Sequence, residues 1–160
     1  MAKKRKGKRK AAPGDLATNR QASFRYEFLE KLTCGIVLTG SEIKSVRAGQ
    51  VQLKDSYAGV YQGELFLHNA YIAPYEPASR ANHDPERTRK LLARRNEIER
   101  LIGKTKESGL TLVPTRIFLS GSRAKVELAL GRGKTTHDKR VTIREREAKR
   151  EMERALRWGK

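Results

Sequence analysis

"LTLVPTRIFLSGSRAKVELAL", residues 110–130, has the pattern of a β-hairpin. Ile117 and Leu119 face one side of a first strand, and the turn residues Ser120-Gly121-Ser122 follow it. Beyond the turn, every second residue of another strand is apolar: Ala124, Val126, Leu128 and Leu130. Pro114 cannot donate a ladder hydrogen bond, which favours an edge or a bulge at that position. The stretch therefore predicts two antiparallel strands with one buried face.

Two earlier stretches also have strand patterns. "SFRYEFL" (residues 23–29) alternates Phe24, Tyr26 and Phe28 with charged residues, and "GIVL" (residues 35–38) continues this strand after an irregularity. "SYAGVYQGELFLHNAYI" (residues 56–72) indicates strand, turn and strand, with the turn at Gln62-Gly63. Together with the hairpin they favour a mostly β fold.

Two helices are predicted between these strands. In "TGSEIKSVRAG" (residues 39–49), Thr39 and Glu42 have capping-box spacing and Gly49 ends a short helix. A longer helix is predicted to begin with Asp84 as N-cap and Pro85 at its first position. Its apolar residues have helical spacing as far as Gly103: Leu91, Leu92, Ile98, Leu101 and Ile102.

We therefore expect an OB-like antiparallel barrel over residues 19–130, with one short and one long helix packed on it. Residues 1–18 lack periodicity and are expected to form a disordered basic arm. Residues 131–160 are expected to form a basic tail that is disordered when free.

The charge favours a polyanionic partner. Lys and Arg number 36 against 18 Asp and Glu, giving a net charge of +18, and both ends are more basic per residue than the middle. No apolar run approaches the length of a membrane-spanning helix, and no signal-peptide core follows the basic start, so we expect a cytoplasmic protein and no membrane partner. The single cysteine, Cys34, makes no internal disulfide, which fits a reducing compartment.

The sequence contains little that indicates an enzymatic site. "GRGKTTHD" resembles a phosphate-binding loop, but the first glycine of that motif would fall at Leu128, inside a strand. The three histidines are far apart in sequence, so we expect no metal and no cofactor. A nuclease, with carboxylates and a histidine that converge in space, stays open.

Basic residues of the predicted long helix form a candidate RNA-binding surface. Arg87, Lys90 and Arg94 would share one helix face, and residues 87–95 contain no acid to balance them. An ordinary solvated helix face is the alternative.

The tail has a thin apolar stripe at helical spacing: Ala148, Met152, Ala155 and Leu156. Such a segment buries too little surface to fold alone, and we expect residues 144–157 to become helical on a partner. A disordered solubility tail is the alternative.

Several motifs in order resemble the small protein B (SmpB) family, the SsrA-binding proteins of bacterial trans-translation. They are "GSEIKSVRAG", "KDSYA", "NHDPERTRKLL", "GLTLVPTRIF" and "GRGKTTHDKR", and the resemblance runs from about Asn19 to Arg140. It implies an OB-like barrel that binds the tRNA-like domain of transfer-messenger RNA (tmRNA, or SsrA). It also implies that the tail enters the decoding centre and the empty message channel of the small ribosomal subunit, where it becomes helical.

The resemblance also implies individual roles. Leu92 matches an RNA-contact leucine, and Gly133, Lys134, His137, Asp138, Lys139 and Arg140 match the tail motif; Met152 belongs to the same ribosomal segment. Through the RNA, elongation factor Tu and alanyl-tRNA synthetase are implied as indirect partners. Three positions depart from the family pattern: Thr33 replaces a contacting glutamate of some members, Arg94 an asparagine, and Thr135 a lysine.

The sequence thus predicts a non-enzymatic RNA-binding adaptor. A small ribonuclease and a basic ribosomal protein without a dedicated RNA are the alternatives.

Overall fold

The computed structural model describes residues 14–158, in which antiparallel strands predominate. The strands are β1 Asp15–Thr18, β2 Tyr26–Ile36, β3 Val51–Gln52, β4 Tyr57–Tyr61, β5 Glu64–His68, β6 Tyr71–Ile72, β7 Arg89–Leu92, β8 Thr111–Ser120 and β9 Arg123–Gly133. The helices are α1 Ala22–Arg25, α2 Gly40–Arg47, α3 Arg95–Ser108 and α4 Thr136–Trp158, with a 3-10 helix over Glu76–Ala81.

The main sheet has the strand order β1-β8-β4-β5-β7-β2-β9, and β8 pairs with β9 as well; β3 and β6 form a separate pair. Every pairing is antiparallel. α2 contributes Val46 to the core, and α3 contributes Ile98 and Leu101. The prediction of a mostly antiparallel β fold with helices packed on it is therefore confirmed.

The β8–β9 hairpin forms as its alternation predicts. Val126 and Leu128 are fully buried, and Ile117 lies opposite Val126. The register shifts between Pro114 and Arg116, which confirms the bulge predicted at the proline. The β4–β5 hairpin is also confirmed, because Gln62 and Gly63 have the positive φ angles, 48° and 73°, of a tight hairpin turn.

The short helix is confirmed, but the predicted long helix is wrong. Arg89–Leu92 form strand β7, and α3 begins only at Arg95 and continues past Gly103 to Ser108. The Glu97 carboxylate accepts the Arg94 N–H at 2.8 Å, so the capping acid lies three residues after Arg94. Asp84 accepts the Glu86 N–H at 3.0 Å in a turn and caps no helix.

Other predicted boundaries also shift. Residues 1–13 of the predicted arm lie outside the described residues, but Asp15–Thr18 form β1 on β8, so the ordered part begins before Asn19. Phe24 lies in α1, and β2 begins at Tyr26 and ends at Ile36. β9 continues past Leu130 to Gly133, and Gly131 packs so closely on Tyr26 that a Cβ there would lie 3.0 Å from the Tyr26 Cβ.

Within residues 14–158, no helix combines the length and the apolar character that a membrane span requires.

Candidate RNA-binding site

Strand β7 turns alternate side chains toward the core and toward solvent. Arg89 and Leu91 are buried, Lys90 is half-buried, and the Leu92 side chain is 54% exposed. Leu92 pairs with Gly35 of β2, where any side chain would come within 3.3 Å of it. The apolar Leu92 side chain therefore faces solvent although its strand is paired.

Arg87, Lys90 and Arg94 do not share one helix face, in contrast to the prediction. Lys90 lies on β7 and forms an exposed ion pair with Glu64 of β5. Arg94 is exposed directly before α3. Lys90, Leu92 and Arg94 thus follow one another along the end of β7, whereas Arg87 lies in the preceding loop and is bound to Glu42.

Glu42 is fully buried and holds two arginines. Arg87 donates from Nε to Glu42 Oε1 at 2.8 Å and from Nη2 to Oε2 at 2.7 Å. Arg89, itself fully buried, donates from Nε to Oε1 at 2.8 Å and from Nη1 to the Ala70 carbonyl at 2.6 Å. The Thr39 N–H donates to Oε2 at 2.8 Å. This Glu42 cluster (Glu42, Arg87 and Arg89) links α2 to β7, and so it positions the strand that carries Lys90 and Leu92.

The sequence predicts Glu42 only as a helix-capping residue, and it places Arg89 among the basic residues of the predicted long helix without marking it as a site residue. Glu42 does cap α2, but its carboxylate is also the counter-ion of two arginines more than forty residues away. The available signal was the charge itself: Arg89 lies two residues before Leu91 and so shares the buried side of the strand with it, and a buried guanidinium needs an acid.

The Glu42 cluster predicts an acid-sensitive fold. Burial alone would raise the pKa of the Glu42 carboxyl, but hydrogen bonds from Arg87, the Thr39 N–H and Arg89 lower it to about 2, from an ordinary value of 4.5. Because the folded pKa is depressed, the stabilisation is fully present above pH 4.5 and is lost as the pH falls toward 2. We expect Glu42 to contribute about 3 kcal/mol to the loss of unfolding free energy over this range. Urea unfolding at successive pH values measures this loss of unfolding free energy. The Glu42→Gln variant should lose less unfolding free energy over the same pH range. Equal losses in the variant and the wild type would contradict the role of the Glu42 carboxylate.

Two neighbouring positions of β2 have opposite environments. Thr33, which departs from the family pattern, is exposed and lies opposite Glu127 of β9. Cys34 is buried, and burial raises the pKa of its thiol to about 12, so this cysteine stays protonated and unreactive.

The link between β9 and α4 is held by side chains of the predicted tail motif. The Lys134 ammonium donates to the Ser23 carbonyl at 3.2 Å and to Thr142 Oγ1 at 3.1 Å. Thr135 precedes α4, and its N–H donates to Asp138 Oδ2 at 3.1 Å while its Oγ1 accepts the Asp138 N–H at 3.3 Å. This reciprocal pair is a capping box, so the threonine that replaces a family lysine starts the helix. Hydrogen bonds from Thr135 lower the pKa of Asp138.

The other predicted tail residues lie along α4, which extends from Thr136 to Trp158 and is longer than the predicted 144–157. His137 and Arg140 are exposed and Lys139 is half-buried. The apolar residues of α4 are exposed as well: Val141, Ile143, Met152 and Leu156. Gly133 ends β9, opposite Tyr26.

One contact between α4 and the body was not predicted. The Arg146 guanidinium lies 5.6 Å from the centre of the Phe24 ring, and its Nη2 lies 3.4 Å from Ser23 Oγ. Phe24 was expected in a strand, so no pattern in the sequence connected it with the tail.

The comparisons with known proteins agree with the motifs. The family model described as SmpB protein matches residues 16–158. The SsrA-binding protein of Bacillus subtilis (strain 168) is 54% identical over 142 residues, which cover 89% of this chain and 91% of that protein. The SsrA-binding protein of Geobacillus sp. (strain WCH70) is 55% identical over 142 residues, with 89% and 92% covered.

The fold is also similar to a solved structure described as "tmRNA-SmpB: a journey to the center of the bacterial ribosome". Its TM-score is 0.64 and its identity 51%, with 74% of this chain and 84% of that chain covered. SmpB proteins are RNA-binding adaptors and not enzymes. Because the family model covers the sheet, the Glu42 cluster and α4 alike, the chain belongs to the SmpB family.

Proposed function

We propose that this protein binds the tRNA-like domain of tmRNA and delivers that RNA to stalled ribosomes for trans-translation. The observation that carries the proposal is the identity of more than half of 142 aligned residues to proteins named SsrA-binding protein. The described structural relative adds support, since its name joins tmRNA and the ribosome. Ribosome rescue would place the protein in the cytoplasm, with elongation factor Tu and alanyl-tRNA synthetase as indirect partners through the RNA.

The end of β7 is the proposed RNA contact of the body. Lys90 and Arg94 can meet phosphates, and the exposed Leu92 between them can pack on a base or a ribose. Such a surface suits the OB-like barrel that the family resemblance implies. Arg87 would act through Glu42, by holding β7 in place.

The tail is the proposed ribosomal element. His137, Asp138, Lys139 and Arg140 lie in the first turns of α4, where cations and a ring can contact RNA. The exposed Met152 and Leu156 would be buried in the message channel, because the body leaves them in solvent.

The body surface is tested by the triple variant Lys90→Ala, Leu92→Ala and Arg94→Ala. Loss of two phosphate contacts should weaken binding of the tRNA-like domain by about 25- to 60-fold at 0.1 M salt, and the salt slope of log K should fall by roughly 1.4 to 1.8. Leu92 and Arg94 are exposed and the Lys90 side chain is 43% exposed, so the free energy of unfolding should change by less than about 1 kcal/mol. Titration at several salt concentrations measures both effects.

The matched control is Lys54→Ala, Tyr61→Ala and Arg123→Ala, which also removes two cations and one exposed large side chain. It should bind nearly as tightly as the wild type. An equal loss of RNA affinity in both variants would mean that only net charge matters. It would contradict the proposal that the end of β7 contacts the RNA.

A further inference from the structure

An acid lies beside the proposed RNA contact at the end of β7. Glu64 is the first residue of β5, and its Oε1 accepts a hydrogen bond from the Lys90 ammonium at 2.5 Å. Leu65 and Leu67 alternate with the outward residues of β5 and are fully buried, so Glu64 lies on the outer face of the sheet. Lys90 and the exposed Leu92 lie on the same face. The carboxylate is therefore part of the surface that a ligand of Lys90 would meet.

The ion pair between Glu64 and Lys90 is exposed and contributes little to folding. The Glu64 side chain is 50% exposed and the Lys90 side chain 43% exposed, so solvent screens the two charges. Both groups are accessible to a ligand, and a substitution at Glu64 should leave the fold intact. The effect of Glu64 is therefore expected on binding and not on stability.

The Glu64 carboxylate restricts which ligands Lys90 can bind. A phosphate on Lys90 would bring a second anion next to the carboxylate, and the two negative charges would repel each other. A ligand that also donates a hydrogen bond to Glu64 offsets this repulsion, whereas a ligand that offers only negative charge does not. The acid thus distinguishes between ligands that Lys90 alone would bind equally well.

RNA bases carry the hydrogen-bond donors that Glu64 requires. Phosphate oxygens are acceptors at neutral pH, but base edges present amino and imino N–H groups, and acidic side chains accept from such groups. Glu64 and Leu92 directly flank the paired residues Leu65 and Leu91 of the two strands. An unpaired base that packs on Leu92 can therefore present its edge to Glu64.

We propose that Glu64 is a specificity-determining residue, whose carboxylate accepts a hydrogen bond from the N–H of an RNA base while Lys90 binds the phosphate backbone. The inference rests on the proposed RNA contact at the end of β7, and it adds an acid to a surface of two cations and a leucine. A polyanion without such a donor leaves the carboxylate uncompensated, so Glu64 selects against it.

The test is titration of the fluorescein-labelled tRNA-like domain with the full chain, followed by fluorescence anisotropy at 0.3 M salt. Glu64→Ala raises the net charge of +18 by one, so charge alone would tighten binding by about 2- to 3-fold, the effect of one further phosphate contact at this salt. We expect the opposite sign: binding should weaken by about 5-fold or more, the lower end of what a contact to a base edge contributes. Glu64→Gln keeps an oxygen acceptor and should lose less affinity than Glu64→Ala.

The matched control is Asp55→Asn, which removes another exposed, ion-paired carboxylate. Asp55 binds Arg25 at 2.6 Å, its side chain is 55% exposed, and asparagine suits its positive φ of 58°. Asp55 precedes β4 and so lies at the opposite end of the β4–β5 hairpin from Glu64. The RNA affinity of Asp55→Asn should equal or exceed that of the wild type.

A second ligand tests the selectivity. Inorganic polyphosphate carries negative charge but no N–H donor, so it should bind Glu64→Ala at least as tightly as the wild type. Competition with the labelled RNA measures this affinity. A loss of polyphosphate affinity equal to the loss of RNA affinity would contradict a contact with a base.

Three further results would overturn the inference. Unchanged or tighter RNA binding by Glu64→Ala would mean that the acid only screens Lys90. An equal loss in Asp55→Asn would mean that the position of the carboxylate is irrelevant. A thermal midpoint of Glu64→Ala several degrees below that of the wild type would mean that Glu64 supports the hairpin.

Failure of this inference is distinguishable from failure of the proposed RNA contact. If the triple variant Lys90→Ala, Leu92→Ala and Arg94→Ala binds the RNA as tightly as the wild type, the contact at the end of β7 is itself wrong. If the triple variant loses affinity and Glu64→Ala does not, only the role of Glu64 is wrong.

Discussion

A chain that ends at Gly133 is expected to bind tmRNA with wild-type affinity and to lose peptide tagging on stalled ribosomes completely. Gly133 is the last residue of β9 and pairs with Tyr26, so this cut leaves the strand ladder whole. A cut after Leu130 would be less clean, since Gly131 is buried and pairs with Phe28 and Thr111. Tagging of a message without a stop codon, together with an RNA titration, measures the two outcomes.

A point variant tests whether tagging requires the helical conformation of α4 and not only the presence of this segment. Glu151→Pro should break α4 at a cost of about 3 kcal/mol to that helix, because proline removes a hydrogen bond and clashes with the preceding turn. Glu151 is exposed on α4, so the body should be unaffected. We expect tagging to fail in Glu151→Pro and to persist in Glu151→Ala. Normal tagging by the proline variant would reduce the tail to a solubility segment.

The second large effect is expected at Glu42. Glu42→Gln leaves the fully buried Arg89 without its counter-ion, and removal of one partner of a buried pair typically costs about 3–5 kcal/mol. For a chain of this size the midpoint of thermal unfolding should fall by about 10 °C. Circular dichroism during heating measures the shift at neutral pH.

The matched control is Glu99→Gln, which breaks an exposed pair with Arg95 on α3. It should cost less than about 0.5 kcal/mol, because solvent screens both charges before and after the change. A Glu42→Gln variant as stable as this control would show that the buried cluster contributes no net stability. The tmRNA affinity of Glu42→Gln, measured at temperatures below its unfolding transition, then tests whether the Glu42 cluster positions β7.

Local patterns predicted the elements whose determinants are close in sequence. Alternation from Ala124 to Leu130 and a glycine at the turn were enough for the β8–β9 hairpin, and Thr39 with Glu42 was enough for α2. The bulge at Pro114 followed from its missing N–H. The motifs that carry the family resemblance also lie in the sequence, and the comparisons confirm that family.

The secondary-structure and site predictions failed where residues far apart in sequence determine the local structure. "RTRKLL" has helical spacing with the residues after it, but Leu91 lies between β5 and β2 and completes two ladders there, and this outweighs local helix propensity. Arg87 looked like a free RNA contact, yet it binds an acid 45 residues earlier.

The sequence by itself determined the hairpins, the capped short helix, the basic ends and the family, because each depends on neighbours in the chain or on motifs read in order. The tertiary structure alone decided which cations are committed and which are exposed. Burial of Glu42 claims Arg87 and Arg89, whereas the path of α4 beside the sheet leaves Arg150 and its neighbours facing a cleft. Whether a charged side chain can bind a partner depends on its exposure to solvent and on its counter-ion. Residues far away in the chain determine both.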